Sequence, residues 1–297
     1  TGLTGFAHLF EHMMFKGSKN VEPEQHTSWT SGVGGQSNAY TTEDVTVFWS
    51  TVPSQYLPLA LWLEADRMAT LRIDKEMFNR EREVVKEERR MRLENQPYGR
   101  LPEIIYDQAF TVHPYKHQAI GSMKDLEAAS VDEVREFYRT YYVPENATIA
   151  ITGDFDMTQA IDLATRYFGR ISKSAHPVPR DIPVEPPVKT PRRVTMEENW
   201  PLPVVVVAHH VTFDGHPDSY PLHVASKILS DGQSSRIYRQ LVYEKGIALM
   251  AFGGGNIVEH PNLFFAVAVV QPGHTVLEAE TALVAELDRL RQTPISD

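Results

Sequence analysis

Residues 5–17, GFAHLFEHMMFKG, place two histidines and a glutamate at His8, Glu11 and His12. No proline interrupts the stretch, and Leu9 and Met13 mark an apolar side one turn apart, so the spacing predicts a helix over residues 3–16. Each residue of a helix turns by about 100°, so positions i, i+3 and i+4 share a face and the three polar side chains project together. Zinc in a hydrolase takes three protein nitrogen or oxygen ligands and keeps a further position for water. Two imidazoles a turn apart supply part of that set, and Glu11 beside them is placed to take a proton from the water. A chance HxxEH occurs in roughly one chain of this length in twenty to thirty, so the pattern needs a third ligand before it implies a metal.

A candidate lies in NREREVVKEERRM, residues 79–91, where Glu81 and Glu88 are seven apart and face the same way on a helix. The alternative for such an acidic and basic helix is a solvated face laced by i,i+4 ion pairs.

Composition narrows the classes of function. The chain has 297 residues, enough for two domains, with 42% hydrophobic and 23% charged residues. A formal charge of −10, with its basic residues scattered or interleaved with glutamate, argues against a nucleic-acid surface. The chain contains no cysteine, which removes disulfides and thiolate ligands and leaves histidine and carboxylate for any transition metal. No apolar run approaches the roughly 18 residues of a membrane span. The chain starts with Thr and enters a helix almost at once, and its last helix runs to the end, so both natural termini are expected to lie outside it.

Along the chain, the Gly-rich turn SGVGGQSN feeds AYTTEDVTVFWSTV, which reads as a strand. Helices are expected over 54–70 and 75–95 and, with proline breaks, to about 140. NATIAITGDF reads as a strand and DMTQAIDLATRYFG as a helix. Six prolines between 177 and 191 forbid helix or central strand, so 176–192 is expected to be a stiff linker. Beyond it LPVVVVAHHVTF reads as a buried strand and NLFFAVAVVQP as another strand, with a helix before the turn SDGQSSR. Both halves are thus α+β.

Several stretches in order, TGFAHLFEHMMFKGS, GGQSNAYTTEDVTVFWSTV, EREVVKEE, HPYKHQAIGSMKDL and YYVPENATIAITGDFD, with a weaker SSRIYRQLVYEKGIA, resemble the pitrilysin and processing-peptidase family of zinc metallopeptidases, the inverzincins. The resemblance implies one zinc per chain held by His8, His12 and Glu88, with Glu11 as general base and Glu81 orienting a ligand. It implies that Asn38 and Ala39 grip an extended peptide by strand addition. It further implies two homologous domains, each a mainly antiparallel sheet flanked by helices, forming one half of a clamshell. Residues 1–175 would be the zinc-bearing domain without its first strand, 176–192 the linker, and 193–297 a truncated second domain.

One departure bears on partners. Single-chain relatives carry an Arg and a Tyr seven residues apart in the later half, and aligning RQLVYEKGIALMAF puts Val242 and Leu249 there, neither able to donate a hydrogen bond. The expectation is a zinc-bearing subunit of a two-chain endopeptidase for short or unfolded peptides, paired with a paralogue that supplies Arg and Tyr, or else a homodimer. A non-catalytic scaffold homologue in a larger complex is the alternative. A bacterial periplasm is expected over cytoplasm or organelle. The other histidines read as structural: His209 and His210 are adjacent on a strand and face opposite ways, and His113 and His117 fall in a loop.

Overall fold

The computed structural model describes residues 2–293. They form two compact units, one running to Asn95 and resuming over His117–Ile182, the other made of Gln96–Lys116 and the chain from Pro183 onward.

In the first unit, helix α1 (Phe6–Met13) buries Phe6, Leu9, Phe10 and Met13. That i, i+3, i+4, i+7 stripe leaves His8, Glu11 and His12 off the core side. α2 (Gln25–Gly32) leads into strands β1 (Gln36–Thr41) and β2 (Thr46–Thr51), an antiparallel hairpin in the register Gln36↔Thr51 to Thr41↔Thr46. The sequence reads this stretch as one strand, but it folds back at Thr42–Val45, where the Thr42 amide donates to the Val45 carbonyl at 2.9 Å. Glu43 and Asp44 at the bend are poor strand formers, and Asp favours turns. α3 (Leu57–Thr70) follows. α4 (Lys75–Arg89) starts at Asp74, whose carboxylate accepts from the Met77 amide at 2.8 Å, and buries Phe78, Glu81 and Val85. α5 (Leu101–Ala109) belongs to the second unit, while α6 (Met123–Ala128), α7 (Val131–Tyr141) and α8 (Met157–Phe168) complete the first.

The main core of this unit joins α1 to α4, α6 and α7 through Phe10, Phe78, Val85, Leu126 and Val134, with Phe10 stacked on Phe137 and Tyr138. Residues 147–152, within the stretch NATIAITGDF expected as a strand, are mostly exposed and form no ladder among the described residues. Ile and Thr favour extended backbone, but a strand also needs a neighbouring edge to bond to.

A glycine pair sets α1 against α4. Gly5 and Gly121 have φ of 89° and 75°, and a Cβ on Gly121 would lie 2.5 Å from the Cα of Gly5. The same loop ties both helices: Ser122 N–H donates to Thr4 Oγ1 at 3.0 Å, Thr4 N–H to Asp125 at 3.2 Å, and Arg89 of α4 to the Gly121 carbonyl at 2.9 Å. Gly121→Ala is therefore expected to cost more than about 2 kcal/mol, since it adds both a positive-φ penalty and a backbone clash. Thermal unfolding should show a fall of roughly 4–8 °C for a unit of this size. A melting point within about 1 °C of the parent would mean that the two segments separate freely.

In the second unit, β3 (Val204–Val211), β4 (Ala248–Gly255) and β5 (Asn262–Val270) form an antiparallel sheet in the order β3-β5-β4. Central β5 is buried along almost all its length, as its unbroken apolar run requires. α9 (Ser219–Ser230), the short α10 (Arg236–Tyr238) and α11 (Val276–Gln292) also belong to this unit, which packs Leu229, Ile237 and Leu283 with Ala266 and Ala268 of the sheet. α11 begins with a capping box in which Thr275 and Glu278 satisfy each other's amides. Residues 294–297, at the end of the expected last helix, lie outside the described residues.

Residues 96–116 join this unit, although the sequence boundary puts them with the first 175. Tyr106, Phe110 and Tyr115 pack around Leu263 of β5, and that aromatic burial decides the allegiance of the segment. The Pro-rich stretch 176–192 has no helix or strand. Within it the Glu185 carboxylate accepts from the amides of Thr111, Val112 and His113 at 2.8, 2.9 and 2.9 Å and from the Thr111 hydroxyl at 2.5 Å. Although burial works the other way, these donors hold Glu185 down to about 2.

Candidate metal centre

α1 and α4 bring His8, His12 and Glu88 together, with one ligand atom from each lying within 4.8 Å of the others. The Nε2 atoms of His8 and His12 stand 3.7 and 3.2 Å from Glu88 Oε2. Ligands at Zn–N and Zn–O bonds near 2.05 Å in a tetrahedron are separated by about 3.3 Å, so both spacings lie near the edge of such a tetrahedron. Glu88 Oε2 and His8 Nδ1 are buried and accept or donate no hydrogen bond among the described residues. The other Glu88 oxygen is held by Arg92 at 2.8 Å, one turn further along, which turns Oε2 inward.

Protonation suits the same use. Burial, the largest influence, and the neighbouring His12 hold the His8 pKa below its ordinary value, against the pull of the Glu88 and Glu11 carboxylates. A neutral imidazole keeps the lone pair that a metal requires. The ligand set is walled but not closed, since the side chains of His8, His12 and Glu88 are 12, 23 and 17% exposed. Two imidazoles, one carboxylate and an open side match the donor set of a zinc hydrolase, and the residues fit that ion.

Glu11 lies on the same helix face, and its Oε2 accepts from the Thr41 hydroxyl at 2.6 Å. Glu81, two turns before Glu88, is almost fully buried, and the Lys16 ammonium stands 3.7 Å from its Oε1. Burial raises the Glu81 pKa, opposed by the charges of Lys16 and His12, so its carboxylate lies within electrostatic reach of a candidate ligand. Asn38 is exposed on β1 and its side-chain oxygen accepts from the Ala39 amide at 2.9 Å, while Ala39 is half-buried. β1 pairs with β2 on one side, and its other edge carries no ladder among the described residues.

In the second unit Val242 packs against the core and Leu249 is exposed on β4. His210 shares a 2.9 Å contact with the Ala109 carbonyl, buried His113 accepts from the Tyr115 amide at 3.1 Å, and His117 is exposed. Sequence reasoning missed Thr41 and Lys16, neither of which falls in a spacing pattern with the residue it meets. Arg92 was legible as the i+4 partner of Glu88. No helix among the described residues is long and apolar enough to cross a membrane.

The model of the family described as "Insulinase (Peptidase family M16)" matches residues 1–122, and that of "Peptidase M16 inactive domain" matches residues 128–297. The chain is 29% identical over 297 residues to the zinc protease PqqE of Helicobacter pylori, covering 99% of this chain and 67% of that one. It is 23% identical over 250 residues to the uncharacterized zinc protease YmxG of Bacillus subtilis, covering 84% of this chain and 60% of that one. The crystal structure of a protease from Helicobacter pylori superposes with a TM-score of 0.95 at 29% identity, covering all of this chain and 72% of the other. The chain thus spans about two thirds or less of the curated relatives it matches.

Proposed function

The chain belongs to peptidase family M16, and on that premise we propose that it is the zinc-bearing part of an endopeptidase acting on short or unfolded peptides. What carries the reading is the convergence of His8, His12 and Glu88 within 4.8 Å, with Glu11 on the same face. His8, His12 and Glu88 are the ligands. Zinc, when bound there, polarises the scissile carbonyl and lowers the pKa of a water. Glu11 takes the proton of the attacking water and passes it to the leaving amine. Glu81 steadies the ligand set through its charge, and the free edge of β1 at Asn38 and Ala39 receives the peptide backbone as an added strand. That recognition reads main chain rather than side chains, which suits extended substrates of varied sequence.

A second chain follows from Val242 and Leu249. Neither side chain donates a hydrogen bond, so the oxyanion gains no help from those positions. We infer that a paralogous partner provides those donors. The alternative of a non-catalytic scaffold is disfavoured by the complete set of His8, Glu11, His12 and Glu88, since a scaffold has no use for a base beside open ligand atoms.

The test is hydrolysis of a quenched fluorogenic peptide by the purified full-length protein, alone and mixed with its paralogue. Turnover is expected to disappear with 1,10-phenanthroline and to return with about one equivalent of zinc. Bound zinc without turnover in either mixture would favour the scaffold.

A further inference from the structure

Glu11 has three rotatable side-chain bonds, and a base must present its carboxylate in one orientation. The hairpin supplies a means. Thr41 and Thr46 are directly paired across β1 and β2 at the closed end, so their side chains share a face, and their hydroxyl oxygens lie 3.2 Å apart. Thr41 Oγ1 in turn stands 2.6 Å from Glu11 Oε2. Behind them Tyr142, partly buried just past the end of α7, has its phenol hydrogen-bonded to Thr46 and its ring 5.1 Å from that of Phe10, the residue before Glu11.

The direction of the chain of hydroxyls follows from valence. An ionised carboxylate only accepts, so Thr41 spends its single proton on Glu11. Thr46 must then donate to Thr41, which leaves its oxygen to accept from the Tyr142 phenol. Burial, followed by the charge of Glu11, pushes the phenol pKa well above its ordinary value, so the phenol keeps the proton that this arrangement needs.

We propose that Thr41 is a positioning residue for the general base, with Thr46 and Tyr142 fixing the direction of its hydroxyl. It pins one oxygen of Glu11 by donation and leaves the other for the proton of the attacking water. This rests on the reading of Glu11 as base.

Thr41→Val keeps shape and strand preference and removes the hydroxyl, whereas Thr41→Ser keeps the hydroxyl and removes the methyl. Stability and positioning are therefore expected to rank the variants in opposite order. Thr41→Val should melt no lower than Thr41→Ser. It should nevertheless lose about 10-fold to 100-fold in kcat with KM unchanged, while Thr41→Ser stays within about 3-fold of the parent. The assay uses the full-length protein in whichever form turns over peptide, with zinc content measured alongside. In metal-free protein, the antisymmetric carboxylate stretch of Glu11, isolated by subtracting the Glu11→Gln infrared spectrum, should shift in Thr41→Val and not in Thr41→Ser.

Parental kcat in Thr41→Val, equal loss in both variants, or an unshifted Glu11 band would overturn the positioning role. A parent that binds zinc yet turns over no peptide in any form overturns the reading of Glu11 itself, a separate failure visible before any Thr41 variant is made.

Discussion

Replacing Glu88 with glutamine is expected to take the protein from about one zinc per chain to almost none after dialysis against a weak chelator, as read by elemental analysis. Glutamine has the same shape, so the packing of α4 is kept. It lacks the charge that lets one oxygen complete a set with two neutral imidazoles. Structural zinc sites of four ligands are worth roughly 10–16 kcal/mol, or about 3 kcal/mol per ligand, so losing one should weaken binding about 100-fold or more. The fold should survive. The ion pair lost is with Arg92, whose side chain is mostly exposed, and such pairs contribute about 0–1 kcal/mol. A variant that binds zinc as tightly as the parent would remove Glu88 from the ligand set, and a parent that takes up no zinc after reconstitution would show that the three donors do not act together.

In the candidate metal centre, His8, Glu11 and His12 were legible because they obey helical arithmetic, whereas Glu88 was singled out as the third ligand by the family resemblance. His8, Glu11 and His12 are fixed by the i, i+3, i+4 rule, and Glu81 and Glu88 by a seven-residue repeat, so each pair of side chains is placed by local geometry alone. What sequence could not give is the crossing of α1 and α4. That depends on Gly5 and Gly121, which are 116 residues apart and meet only because neither carries a Cβ. Thr41 escaped for the same reason, as its partner Glu11 lies 30 residues away with no period relating them. The fold was misread where partners decide the outcome. NATIAITGDF has the composition of a strand but no ladder among the described residues, while ALMAFGGG, rich in glycine, becomes β4 because β5 supplies the edge. The long apolar run of β5 and the capped helices α4 and α8 were read correctly, because burial and capping act within the segment itself, whereas β3, expected as a buried strand, forms a strand in which only Val205 is buried.

Glu11→Gln should separate binding from chemistry. His8, His12 and Glu88 supply the candidate donor atoms and Glu11 is not among them, so zinc content is expected to match the parent. The amide oxygen can still accept from Thr41, so the side chain should keep its place, and melting should change little. An amide has no useful basicity, however, and cannot hold the proton of the attacking water or hand it to the leaving amine. General-base catalysis contributes about 10²–10⁴ in rate, so kcat should fall by that factor while KM stays near the parental value, the mark of an interaction made only in the transition state. The pairing of this variant with Glu88→Gln is what gives the two roles separate signatures. One loses metal and activity together, the other loses activity with metal retained. If Glu11→Gln turned over peptide at the parental rate, another group would have to accept the proton. Among the described residues the buried carboxylate of Glu81 would be first to test, since burial already raises its pKa. Lost zinc in Glu11→Gln would instead place Glu11 among the ligands and require the assignment of Glu88 to be reopened.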